Sequence, residues 1–151
     1  MYLFLCLLYA ILIGMKINQY LDSALHTKKD YGALFIRLMV AFHLIYGVHD
    51  NVLSWAQMVE FANFLAHHEF PFPLICAVVS VYAQLICGIL IMLGCYVRLA
   101  AVVMIFNFIV AIFAIHGDSP YPAMFPAIAM LASALFLLFN GAGKLSLDNR
   151  Q

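Results

Sequence analysis

Four stretches of this chain, Tyr31–Leu53, Phe72–Leu93, Val97–Ile115 and Ala123–Phe139, carry almost no charge. Each approaches the ~20 residues that a helix needs to cross a ~30 Å hydrocarbon core. Nothing else constrains the fold as strongly. In lipid an unpaired backbone N–H or C=O costs several kcal/mol, so a spanning segment is either a helix or part of a closed barrel. The runs lack the alternation of a barrel strand, and the expected fold is therefore all-α, a membrane four-helix bundle. Composition agrees: 67% of the residues are hydrophobic and 9% charged, against an apolar share of roughly 45–50% in soluble domains. The link Gly94-Cys95-Tyr96 is so short that the second and third spans must be antiparallel neighbours.

The few charges are sorted by side. Lys16, Lys28, Lys29 and Arg37 precede or open the first span, Arg98 follows the Gly94-Cys95-Tyr96 link, and Lys144 and Arg150 follow the last span. The alternate connectors hold His49, Asp50, Glu60, His67, His68, Glu69, His116 and Asp118, with no Lys or Arg. Positive charge stays on the cytoplasmic side of a membrane, so both ends of the four-helix core are expected in the cytoplasm and the histidine-rich rim outside. Seven basic residues balance seven acidic ones, which gives no reason to expect a nucleic-acid partner. The expected surroundings are the lipid bilayer itself.

Two segments fall outside the four spans. Ser54 and Gln57 have the spacing of a capping box, and Met58, Phe61, Ala62 and Leu65 follow at helical intervals. A short amphipathic helix in the outer interface is expected here, ended by Phe70-Pro71-Phe72-Pro73. Residues 1–29 form an N-terminal apolar segment and linker, separate from the domain at 30–151. Met1–Met15 is about 22 Å long as a helix, short for a span. Lys16 at its end favours an extra N-terminal membrane segment over one lying flat. The last span opens among Pro120, Pro122 and Pro126, which suit a first helical turn, and stops at Gly141-Ala142-Gly143.

Polar residues inside the apolar runs are the candidates for chemistry, because ionisable groups in lipid are costly. His43 lies midway along the first span and shares a face with Gly47 and Asp50. Arg37 is expected to snorkel to the headgroups. On the second span Cys76, Ser80, Gln84 and Gly88 stack at intervals of four, a stripe read first as helix packing, with Asn107 on the third span as a partner for Gln84. The outer histidines and carboxylates offer metal-ligating groups, but no His-Glu-x-x-His or similar spacing unites them. A solvated rim is the favoured reading, and no metal is assigned. No nucleotide, flavin, haem or paired-thiol motif is found, and Cys6, Cys76, Cys87 and Cys95 form no C-x-x-C.

From about Leu34 to Asp148 the chain resembles the DoxX family of small four-helix membrane proteins. The matching features are Leu34-Phe35-Ile36-Arg37-Leu38, Tyr46-Gly47, Phe70-Pro71-Phe72-Pro73, Gly88–Gly94 with Arg98-Leu99-Ala100, His116, and the tail Gly141-Ala142-Gly143-Lys144-Leu145-Ser146-Leu147-Asp148. Where many members place a basic or amide residue after the Tyr-Gly pair, this chain has Val48-His49-Asp50. The resemblance implies a bacterial inner-membrane protein attached to quinone-linked sulfur oxidation or to oxidative or quinone stress, without an established catalytic residue. Two functions follow as expectations. One is an accessory or scaffold subunit of a quinone-linked redox system, partnered by a soluble or membrane oxidoreductase subunit. The other is a membrane oxidoreductase or transporter that binds a quinone or small hydrophobic molecule by itself. A quinone pocket needs an apolar slot with one or two hydrogen-bonding groups, and His43, Tyr46, His49, Gln84, Asn107 and His116 are the candidate ligands. Tyr82 is a further donor, with Phe106, Phe108 and Phe113 as walls. Whether the chain turns over a substrate is left open, and four short helices leave little room for a cofactor unless the protein forms a homo-oligomer.

Overall fold

A computed structural model describes residues 29–115, 120–143 and 145–148. The elements run α1 (Lys29–Leu53), α2 (Trp55–His67), α3 (Pro73–Leu93), α4 (Val97–Val110) continuing through a π-helical stretch at Ala111–Ile115, and α5 (Tyr121–Asn140). Among the described residues four helices are long and apolar enough to cross a membrane: α1, α3, α4 with its π-helical extension, and α5. The expected all-α membrane bundle is the observed one. Met1–Met15 and His116 lie outside the described residues.

Packing divides the interior into two clusters. Towards the basic end Val40, Ala41 and Leu44 of α1 meet Ile91 of α3, Met104 of α4 and Leu137 of α5. Towards the histidine-rich end Val48 of α1 and Ala77 and Val81 of α3 receive Met58, Ala62 and Leu65 of α2. The amphipathic face expected for α2 is thus buried, but against the bundle and not in the interface alone. At Gly88 α1 and α3 approach closely. A Cβ there would stand 2.9 Å from Ile45 Cγ1 and 3.2 Å from Leu44 Cβ, so glycine lets the two backbones pack without a side chain between them. The outward faces carry Phe35, Phe106, Phe113 and Phe139, each at least 70% exposed, as befits helices whose solvent is lipid.

Three local readings change. Ser54 is the N-cap of α2, but its side chain makes no capping bond. Its N–H instead donates to Asp50 O at 2.9 Å, continuing α1, and Asn51 Nδ2 donates to Gln57 O at 3.1 Å. With the α1 ladder running into the cap, the capping box has no role left. Pro126 sits inside α5 and not in its first turn. It therefore withholds an N–H from the carbonyl one turn back.

The larger correction concerns Arg37. Only 1% of it is exposed, so it does not snorkel. Its Nε donates to Ile91 O at 3.0 Å and Nη2 to Met92 O at 3.0 Å, both at the end of α3. Nη1 donates to Ala142 O at 2.7 Å and Leu145 O at 2.9 Å in the C-terminal tail. Carbonyls left over at a helix end need donors, and a guanidinium supplies five in a rigid fork. Gly94 makes room for the fork: its φ of +71° closes α3, with Gly94 N–H on Ile91 O and Cys95 N–H on Leu90 O, the paired bonds of a Schellman motif. The Asp148 carboxylate completes the knot by accepting from Tyr96 N–H at 2.7 Å and Val97 N–H at 3.0 Å, capping α4. This is the bundle's structural lock, and it leaves the other end for the site.

Candidate functional site

The polar column of α3 faces a cavity. Ser80 Oγ donates to Asn107 Oδ1 across to α4 at 2.9 Å, and Gln84 Nε2 donates to Ser80 Oγ at 3.2 Å. The sequence pairs Gln84 with Asn107, and the structure joins them through Ser80. Two amides and a hydroxyl at this depth satisfy one another in part, which lowers the cost of holding them in an apolar bundle.

The cavity above this triad has a volume of 430 Å³ and lies between α2, α3 and α4. Its walls are apolar: Phe61, Phe64 and Leu65 from α2, Val79 and Ala83 from α3, and Val103, Phe106 and Phe108 from α4. Phe70 closes one side, and the end of α2 explains why it is held there. Glu69 N–H donates to Ala66 O at 3.1 Å and Phe70 N–H to Leu65 O at 3.2 Å, a Schellman motif with Glu69 at φ +58° where glycine is usual. The motif brings Phe70 back towards Leu65, and both line the cavity. Phe72 then adopts φ +51° before Pro73 opens α3. On the α4 side the wall ends at Val110 and Ala111, where the helix changes to π geometry, a local widening often found beside functional sites.

Hydrogen-bonding capacity remains. Among the described residues Asn107 Nδ2 and Gln84 Oε1 have no partner, yet no fully enclosed side-chain polar atom is left unpaired. Neither group is fully enclosed, and both residues line the cavity, where Asn107 can offer a donor and Gln84 an acceptor. Cys76 also lines it, with its thiol donating to Pro71 O at 3.2 Å. The arrangement can grip a flat, mostly apolar molecule that carries one acceptor and one donor. It holds amides, a hydroxyl and a thiol, which orient a ligand.

Of the residues singled out from sequence, the structure brings Gln84 and Asn107 together and places Phe106 and Phe108 as walls. Tyr82 and Phe113 are exposed and do not line the cavity. His43, Tyr46 and His49 lie on the outward side of α1, where Tyr46 stacks on Phe42 and His49 at centroid distances of 5.6 and 4.9 Å. His49 Nε2 is 3.1 Å from Asp50 Oδ1. Among the described residues no three His, Cys, Asp or Glu side chains converge as metal ligands would. Sequence reasoning assigned Ser80 and Cys76 to packing, Phe61 to the apolar face of α2 and Phe70 to the turn that ends it, and did not single out Phe64. The available signal was the α3 stripe lying opposite the amphipathic face of α2.

The family model described as DoxX matches residues 32–117, more than half of the chain and nearly all of α1 to α4. No curated protein and no solved structure matches the chain.

Proposed function

Since the chain belongs to the DoxX family, we propose that it binds the headgroup of a quinone, or a comparably small apolar ring with polar substituents, and presents it within the membrane to a quinone-linked redox system. The observation that carries this reading is the 430 Å³ cavity with a free amide donor and a free amide acceptor in an aromatic wall. A quinone carbonyl would accept from Asn107 Nδ2, and a quinol hydroxyl would donate to Gln84 Oε1. A site that offers both can hold either redox form. Val79, Val103 and Phe106 are exposed on the membrane side as well as lining the cavity, which gives an isoprenoid tail a way out into lipid. Amide and hydroxyl groups bind and orient more readily than they shuttle protons, so an accessory role beside an oxidoreductase partner fits better than turnover by this chain alone. The family suggests a bacterial inner-membrane setting, and the charge asymmetry supports an orientation with the basic end in the cytoplasm, so that the cavity opens in the outer leaflet.

The test uses the full chain in lipid nanodiscs, titrated with a short-tail ubiquinone and a menaquinone analogue. Saturable binding is expected, together with protection of Cys76 from a maleimide. Asn107→Leu should weaken binding about tenfold, the loss expected for one buried hydrogen bond, while His43→Ala should leave it unchanged. Absence of saturation, or equal binding by Asn107→Leu, would exclude the cavity as the site.

A further inference from the structure

The outward face of α1 presents polar groups at a depth where lipid has nothing to offer them. His43 lies about 18 Å along the helix from Tyr31 and about 15 Å from Leu53 at 1.5 Å per residue, and it is exposed. Its Nδ1 is 2.9 Å from Met39 O. A carbonyl can only accept, so the neutral ring carries its hydrogen on Nδ1 and turns the Nε2 lone pair outward. Among the described residues Nε2 has no partner. Three positions on, Tyr46 is 63% exposed, its ring fixed between Phe42 and His49, and among the described residues its hydroxyl likewise has no partner. Beside them Gly47 is open, with nothing within 4 Å of where a Cβ would stand.

An acceptor, a donor and a gap on one helix face are complementary to the same face of a second copy. A two-fold interface requires this self-complementarity: what residue i offers, residue j of the other chain must take, and the reverse. Helical side chains lean towards the N-terminus, and the longer tyrosine leans further, which brings its hydroxyl down towards the imidazole level. Acyl chains supply no donor for Nε2. We propose that two copies of this chain pair through α1 about an axis along the membrane normal, each Tyr46 hydroxyl donating to Nε2 of the partner subunit's His43 where the Gly47 positions meet. The proposal is independent of the cavity and its ligand, which lie on other helices.

The experiment is oxidative cross-linking of the full-length chain in liposomes. Gly47→Cys should give a disulfide-linked dimer, and neither the wild type nor Phe113→Cys, exposed on the other side of the bundle, should match it. No dimer from Gly47→Cys would overturn the proposal. So would a bond within one chain to Cys6, which would assign this face to the N-terminal segment. Dimerisation followed by energy transfer at low protein-to-lipid ratio tests the chemistry. Tyr46→Phe and His43→Leu should each weaken the dimer five- to tenfold, from two symmetry-related bonds of the strength usual in membranes. The double substitution should do no worse than either alone, because both remove the same bond. An unchanged dimer in Tyr46→Phe would overturn the hydrogen-bonded contact.

Discussion

The two ends of the bundle use polar groups between their elements in opposite ways. At the basic end Arg37 donates to four carbonyls, Asp148 takes two N–H groups, and Ser146 Oγ donates to Gly143 O at 2.7 Å. Each group is committed to the protein itself. In the histidine-rich half Ser80, Gln84 and Asn107 bond to one another but leave, among the described residues, a donor and an acceptor without partners beside the cavity. A network that satisfies itself stabilises one conformation. One that is satisfied in part, beside a cavity, is completed by something else. The difference separates a lock from a site more reliably than charge or depth does, since the charged residue here is the structural one.

The comparison is broken most easily at the lock. Replacing Arg37 by Met keeps its volume and removes every donor, leaving the carbonyls of Ile91, Met92, Ala142 and Leu145 to water that reaches them poorly. A loss of about 3–5 kcal/mol is expected, read as a fall in the unfolding transition of the detergent-purified protein. An unaltered transition would mean that the tail is held by something other than the guanidinium. Gly94→Ala comes next. The new Cβ would collide with Arg37 Nη2 and stand 2.6 Å from Ser146 Cβ, at a φ of +71°. Left-handed backbone and overpacking together should cost about 2–4 kcal/mol. Combining Gly94→Ala with Arg37→Met should cost less than the sum, because the second change removes what the first one strikes.

Much of the architecture is legible in the residues, and for a simple reason. Lipid removes water as a partner for the backbone, so twenty apolar residues already dictate a helix, and Gly94 and Gly141 announce where two of them stop. The apolar face of α2 is equally plain, since Met58, Ala62 and Leu65 recur at the helical period and are all buried. The role of Arg37 is not legible. Its acceptors are carbonyls 54 to 108 residues away along the chain, and a carbonyl has no letter in the sequence. Position alone then favours the general behaviour of arginine near a membrane surface. The placement of His43 is not legible, for a different reason. Periodicity puts His43, Gly47 and Asp50 on one face, but whether that face turns inward depends on where α3 packs, and Gly88 draws α3 against Ile45 and Leu44. Gln84 and Asn107 could be paired because two amides in lipid seek each other, yet the cavity beside them exists only through the return of α2 over α3.

The smallest effect is expected at the triad of Ser80, Gln84 and Asn107. Asn107→Leu removes an acceptor from Ser80 and fills part of the cavity with an apolar side chain of similar size. Hydrogen bonds between membrane helices contribute about 0.6 kcal/mol on average, and the Ser80 hydroxyl can turn to a carbonyl one turn back on its own helix, as Ser133 Oγ does towards Ala129 O at 2.8 Å. The unfolding transition should therefore move by less than about 1 kcal/mol, several-fold less than with Arg37→Met. Should Asn107→Leu destabilise the protein as much as Arg37→Met, the triad would be a second lock, its free amide groups would be incidental, and the cavity would lose the feature that makes it a binding site.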